Sequence, residues 1–333
     1  MKICIDAMGG DHAPNAIIEG AVRALANHKD VTIILTGKKE VIEKQLANYS
    51  YDKKRIEIVD ARQVIGMAEK PVEAIKKKKD SSLVKAFEIL RDQECDAVIS
   101  AGSTGAVLAG ATLIVRRIKG ISRPALCPVM PSAKGPVLLV DCGANVDCKP
   151  SYLAQFGHMG SIYMKSVIGI KNPRVALINN GTEPEKGNAL TKAAYPLLDE
   201  KKEINFVGNV EGREILSGDY DVVVADGFSG NIVLKFLEGV AKTIMSMLKE
   251  ELMADTKSKI GALLSKGAYR RFKKRMDYSE HGGALLLGVK GGVIKAHGSS
   301  DAKTIESTIR QARDFVKTNV VENIKKELVK ENN

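Results

Sequence analysis

The sequence predicts an α/β protein with a mostly parallel sheet covered by helices on both faces. Eight short apolar runs carry this expectation, because their hydrophobic residues are continuous rather than alternating, as in strands buried on both sides. Helical patterns separate most of these runs, and alternating strand and helix builds a parallel sheet through right-handed crossovers. Six stretches are also loops of Gly, Asn, Ser, Thr and Asp, most of them placed just after an apolar run. They are DAMGGDHAP (6–14), SAGSTGA (100–106), DCGANVD (141–147), NNGTEPEKGN (179–188), DGFSGN (226–231) and HGSSD (297–301). A strand that runs into a small-residue loop and then a helix presents backbone N–H groups at the carboxyl edge of a sheet, an arrangement suited to anions and to phosphate above all.

The strand candidates are 2–5, 31–35, 56–59, 97–100, 137–140, 174–178, 204–207 and 221–225. Pro14 suits the first turn of a helix over 15–27. A helix over 106–118 follows Gly105. Beyond Asn231, Val233, Phe236, Leu237, Val240, Ile244 and Leu248 recur at helical steps. From Asp301, Ile305, Ile309, Ala312, Val316, Val320, Ile324 and Leu328 predict one long final helix. No repeat, low-complexity tract or Pro-rich linker marks a domain boundary, and residues 1–333 are expected to form a single α/β unit with a central cleft.

With 333 residues, 44% hydrophobic and 27% charged, the composition is that of a soluble globular protein. The longest nearly apolar stretch, 105–115, falls far short of the roughly 20 residues that span a bilayer. No leader precedes the first strand, and five scattered cysteines without a C-x-x-C pair fit reduced thiols, so the expectation is cytoplasmic. No G-x-G-x-x-G opens a helix, no P-loop motif is present, and GFSGN departs from a nucleophile elbow at Asn231. The histidines lack metal-ligand spacing. Asp6, Asp11, Asp141 and Asp147 read better as helix caps and loop anchors than as metal ligands, so no metal and no cofactor are expected.

DAMGGDHAP, SAGSTGA, DCGANVD, NGTEPEKG, DGFSGN and AHGSSDA, in this order, resemble the motifs of the bacterial phosphate acyltransferases, the PlsX family of fatty acyl-[acyl-carrier-protein]:phosphate transacylases. The resemblance spans essentially the whole chain; Ser103 stands where the family more often has Asn. It implies a three-layer α/β/α sandwich of the isocitrate/isopropylmalate dehydrogenase and phosphotransacetylase kind. It also implies transfer of a long acyl chain from acyl carrier protein to inorganic phosphate, giving acyl phosphate for the membrane glycerol-3-phosphate acyltransferase. A homodimer is implied as well, with the Ala/Gly-rich helix 106–118 a candidate contact.

The residues fit such chemistry. Phosphate is already a competent nucleophile toward a thioester, so the protein has to position it and stabilise an oxyanion, each preorganised donor contributing roughly 3 kcal/mol. Lys186, in a loop with Gly181, Thr182 and Gly187, is a candidate point charge for phosphate or oxyanion, against a reading as a solvated loop lysine. Asn231, after Ser229 and Gly230, is a candidate oxyanion donor or a helix cap, and Asp226 either orients these donors or closes the turn. Gly9, Gly10, Asn145, Ser103, Thr104 and Gly105 are candidate phosphate or substrate contacts, with turn chemistry as their structural alternative. His12 is a candidate donor to phosphate or to the leaving thiolate, and His297 has similar standing.

Charge carries a second signal. Residues 257–275 hold eight Lys or Arg and no acid, against a whole-chain charge of +11, within a basic amphipathic segment expected over 246–278. Ile260, Leu263 and Leu264 are interleaved with Arg270, Arg271 and Lys274. Basic and apolar together fit an anionic membrane surface or an acidic acyl carrier protein. Nucleic acid lacks a companion motif. The alternatives for the whole chain are a coenzyme A-linked phosphate acetyl- or butyryltransferase and an NAD- and metal-dependent decarboxylating dehydrogenase.

Overall fold

A computed structural model describes residues 1–276 and 282–331, with side chains up to 272 and from 282 to 327. Twelve strands are formed: β1 (Lys2–Asp6), β2 (Thr32–Gly37), β3 (Ile56–Asp60), β4 (Ala97–Ser100), β5 (Ala125–Cys127), β6 (Val129–Pro131), β7 (Pro136–Val140), β8 (Arg174–Asn179), β9 (Asn205–Glu211), β10 (Val222–Val224), β11 (Ala284–Leu287) and β12 (Gly292–Lys295). They fall into a seven-stranded sheet, ordered β3-β2-β1-β4-β12-β11-β5, and a five-stranded sheet, ordered β6-β7-β10-β8-β9. All eight expected strands are present. β5, β6, β11 and β12 are additional, and β6 and β11 supply the antiparallel pairings.

The middle strands are apolar on both faces because helices cover both, as with the fully buried β4 and β10. β5 joins the sheets. Cys142 N–H donates to Leu126 O at 2.9 Å and Leu139 N–H to Pro128 O at 3.1 Å, so the carboxyl ends of β7 and β10 face those of β4 and β12. One apolar core runs from Ile3 and Ile99 through Cys127 to Val140 and Val224.

The helix Asn15–Asn27 has its expected bounds. Two expectations are corrected. The helix expected over 106–118 is α-helical over Thr104–Gly110, widens to a π turn over Ala111–Val115, and ends where Arg116 takes φ 71°. It packs inward: a Cβ on Gly110 would stand 2.5 Å from the Phe87 ring. The final helix is two helices, Ala302–Lys317 and Val320–Glu331, broken where Asn319 takes φ 52°. The basic segment expected over 246–278 takes in the end of helix Gly227–Leu252 and two short helices, Thr256–Leu264 and Lys266–Met276, and its residues 277–278 lie outside the described residues. Among the described residues no helix is long and apolar enough to cross a membrane.

Side-chain N-caps start several helices at the loops of interest. Asp226 accepts from Ser229 N–H at 2.9 Å at the head of helix Gly227–Leu252, and Asp301 from Thr304 N–H at 2.8 Å. Of the 26 residues in Gly227–Leu252, only Gly227 and Gly230 are buried, and Phe228, Ile232, Phe236, Ile244 and Met247 are exposed.

Candidate active site

Three loops lock together at the carboxyl edge of the larger sheet. Asp6, at the end of β1, is fully buried and accepts from Ser100 Oγ at 2.7 Å and Met8 N–H at 3.2 Å. Burial raises its carboxyl above the usual range, partly offset by hydrogen bonds from Ser82 and Ser100. Ser100 Oγ in turn accepts from Gly102 N–H at 3.0 Å, and Asp11 N–H donates to Gly298 O at 2.8 Å. Gly9 is required by this closeness, since a Cβ there would meet Asp6 Oδ2 at 2.5 Å and Gly102 N at 2.7 Å.

The facing edge is organised by Asp141. Its carboxylate accepts from Leu126 N–H at 2.8 Å, Ala144 N–H at 3.3 Å, Asn145 N–H at 2.7 Å and Asn145 Nδ2 at 3.0 Å. The head of helix Gly227–Leu252 presses on this loop: a Cβ on Gly230 would lie 1.9 Å from Asp141 O. Asn231 then meets Gly143, whose φ of +95° suits glycine and whose hypothetical Cβ stands 3.6 Å from Asn231 Cγ.

Between the two edges lies a cleft of about 410 Å³. Thr104, Gly105, Cys142, Gly143, Asn231, Lys235, Lys295 and His297 line it, among others. The second, third, fifth and sixth of the small-residue loops or their flanks thus reach one cavity. Lys295, the last residue of β12, is 7% exposed. Among the described residues its ammonium bonds only to backbone carbonyls, Ala101 O at 3.4 Å and Ala296 O. Burial pushes its pKa down to about 8, with Lys235 adding to the shift and Asp11 and Asp6 opposing it. His297 is likewise lowered, first by burial and then by Lys235. Its Nδ1 is held by Ser299, whose N–H donates at 3.2 Å. Lys235 pairs with Glu238 at 2.7 Å. Burial raises the Cys142 thiol well above its usual range, so it lines the cleft as a neutral group.

The other sequence candidates lie elsewhere. Gly9 and Gly10 pack behind the cleft, with a Cβ on Gly10 meeting Ala101 Cβ at 2.9 Å. Ser103 is buried at the head of helix Thr104–Gly110. Asn145 turns its amide to Pro124 O at 2.8 Å and to Asp141. Ser229 Oγ donates to Asp226 Oδ2 at 2.8 Å, so this pair caps the helix that presents Asn231. His12 lines a separate groove with Asp11, Glu19 and Arg23. Lys186 and Thr182 are exposed in the loop after β8; Gly181 is buried there, and Gly187 takes φ 103°. That loop is held by Asn179 Nδ2 to Lys186 O at 3.1 Å and Asn209 Nδ2 to Glu183 O at 2.8 Å, and it does not contribute to the cleft lining. Lys295 and Lys235 were missed. The signal for Lys295 was the run GGVIK immediately before AHGSSDA, a sixth apolar run ending in one of the polar loops.

The pattern of one protein family, described as a fatty acid synthesis protein, matches residues 1–323. A phosphate acyltransferase of Clostridium perfringens (strain SM101 / Type A) is 54% identical over 330 residues, covering 99% of this chain and 97% of that protein. A phosphate acyltransferase of Clostridium botulinum (strain Alaska E43 / Type E3) is 54% identical over 333 residues, covering all of both chains. The chain belongs to the phosphate acyltransferase family. It is therefore an acyltransferase that uses phosphate, as its resemblance implied. Solved structures give the fold. The EutD phosphotransacetylase of Staphylococcus aureus has a TM-score of 0.58 at 18% identity, covering 94% of both chains. A phosphotransacetylase of Streptococcus pyogenes has a TM-score of 0.59 at 16% identity, covering 97% of this chain and 94% of that one. The fold of this phosphate acyltransferase is thus the phosphotransacetylase-like α/β/α arrangement that the sequence implied.

Proposed function

We propose that this phosphate acyltransferase moves a long-chain fatty acyl group from acyl carrier protein to inorganic phosphate. The product is an acyl phosphate for a membrane glycerol-3-phosphate acyltransferase. The observation that carries the reading is Lys295, a buried ammonium without a carboxylate partner among the described residues, in one cleft with Asn231 and His297. An unpaired buried cation in a polar cleft is a seat for an anion.

Hydrogen phosphate, held by Lys295 and the N–H groups at the head of helix Thr104–Gly110, attacks the thioester carbon. The tetrahedral oxyanion accepts from the Asn231 amide. When the C–S bond breaks, the phosphate's own proton ends on the departing sulfur, so thiol and acyl phosphate form without an outside acid. With Nδ1 engaged by Ser299, a neutral His297 carries its proton on Nε2 and serves as a further donor. Lys186 is proposed as a second cation that meets phosphate or carrier at the rim, and Asp226 as the group that fixes Asn231 through its cap. His12 is not needed for the proton balance. Ile260, Leu263, Leu264, Arg270 and Arg271 belong to an arm proposed to dock on anionic lipid or on acidic carrier protein; the Lys274 side chain lies outside the described residues. The exposed apolar side chains of helix Gly227–Leu252 are proposed as the contact of a homodimer.

The test is incubation with hexadecanoyl-carrier protein and labelled orthophosphate. Hexadecanoyl phosphate is the expected product, at rates well above those with acetyl- or butyryl-coenzyme A. Faster turnover of the short coenzyme A thioesters would overturn the carrier and chain assignments, and no acyl phosphate from any donor would overturn the whole reading.

A further inference from the structure

The cleft does not end at Asn231. Met130, Leu234 and Glu238 line it and also line a second chamber of about 300 Å³. The chamber's remaining wall includes Leu216, Leu237, Ala241 and Phe272 and is almost wholly apolar. Asn231, Leu234, Leu237, Glu238 and Ala241 recur at three- and four-residue steps, which places them along one stripe of helix Gly227–Leu252. From Asn231 to Ala241 that stripe runs about 15 Å along the axis. Phe272 comes from helix Lys266–Met276, so the basic arm folds back to close part of the chamber. The one charged group at the junction, Glu238, is paired with Lys235 at 2.7 Å.

Resting on the function proposed above, we infer that this chamber holds the hydrocarbon tail of the transferred acyl group. The thioester carbonyl sits beside Asn231 and Gly143, and the tail follows the helical stripe toward Phe272. A saturated chain offers no hydrogen bonds, so its seat must be apolar wall from which water is removed. The chamber supplies such a wall and is continuous with the cleft that holds the reacting carbon. Leu237 and Ala241, at mid-chamber and at its far side along the helix, set the chain length that fits.

Two measurements test this. Ala241→Phe fills the far side without touching the cleft lining. Acyl phosphate formation is followed from acetyl, hexanoyl, dodecanoyl and hexadecanoyl thioesters. The variant should lose hexadecanoyl turnover by about tenfold or more relative to wild type while keeping hexanoyl turnover. A chain-length profile identical to wild type overturns the inference, whereas a wild type that acylates phosphate from none of the four overturns the function itself. The second measurement uses the absence of tryptophan from this sequence. Phe272→Trp places a single reporter in the chamber, and its emission should shift to shorter wavelength with a dodecanoyl thioester and not with acetyl. Emission that ignores the dodecanoyl thioester but changes on protein dilution would mean that a second copy of the chain fills the chamber, and the inference falls.

Discussion

The ammonium of Lys295 lies 3.4 Å from the carbonyl oxygen of Ala101, across the gap between the ends of β12 and β4. A lysine pKa lowered to about 8 means that the folded chain releases this proton well before the unfolded chain does. Between about pH 8 and the ordinary lysine value the unfolded state binds more protons, so stability rises with pH across that window. Below about pH 8 the fold carries the whole cost of a buried charge, roughly 3 kcal/mol from the size of the shift. Lys295→Met keeps the stem and removes that cost. It should leave the melting temperature unchanged or higher below pH 8 and reduce acyl phosphate formation by about a hundredfold or more. Wild-type turnover should fall as pH passes about 8, and this limb should vanish in the variant. Rates and melting curves from pH 6 to 10 decide it, and a fully active Lys295→Met removes the ammonium from the reaction.

Gly230 and Gly239 stand on one helix and predict opposite outcomes. An added methyl at Gly230 meets Asp141 O at 1.9 Å, a backbone atom fixed by the loop that Asp141 itself organises. Gly230→Ala must push the helix off that loop, at a cost at or above the usual 1–3 kcal/mol of overpacking. Asn231 would move with it, so turnover should fall together with stability. Gly239 has nothing within 4 Å of an added Cβ, and Gly239→Ala should stabilise by about 1 kcal/mol through helix propensity. Denaturant unfolding of both variants checks the pair.

The sequence made legible what lies in regular, uninterrupted patterns. The helix Asn15–Asn27 could be read from its spacing, and the eight strands from continuous apolar runs, even where the strand itself is as short as Ala97–Ser100 or Val222–Val224. β5 and β6 lie in ALCPVMP, interrupted by Pro128 and Pro131, and β11 and β12 in GGALLLGVKGGVIK, interrupted by glycines and Lys290, so these runs read as loop rather than strand. Their omission hid both the two-sheet arrangement and Lys295. Lys186 stands out in the sequence because polar loop residues surround it, while Lys295 ends an apolar run and resembles the close of a strand. The same chemistry was invisible from its context. The break at Asn319 was hidden for the opposite reason: Val316 and Val320 keep the helical spacing across a residue at φ 52°.

Lys186 separates a rim role from a solvated one. Its side chain is exposed, and a Cβ on Gly181 would lie 2.8 Å from its Cγ, so the stem folds over that glycine. Lys186→Ala should leave the melting temperature within experimental scatter, since an exposed side chain is removed. If the ammonium meets phosphate or carrier, turnover should fall by about tenfold or more, the size of one lost charge-assisted contact. Unaltered turnover returns Lys186 to solvent.

The two-helix arm can be divided by substituting its charge and its apolar side chains separately. Leu263 and Leu264 are 69% and 83% exposed, and Ile260 is 56% exposed, so replacing them costs the fold little. Arg270→Glu with Arg271→Glu and Lys274→Glu should weaken binding to an anionic lipid surface or to acidic carrier protein alike, by about a hundredfold if each basic residue contributes about 1 kcal/mol. Leu263→Asp with Leu264→Asp distinguishes the two. Insertion into lipid depends on apolar burial, so this variant should lose phosphatidylglycerol vesicles even at low salt and keep carrier protein. Retained vesicle binding with lost carrier binding would place the carrier on the arm instead, and sedimentation with vesicles beside a carrier titration reads both in one preparation.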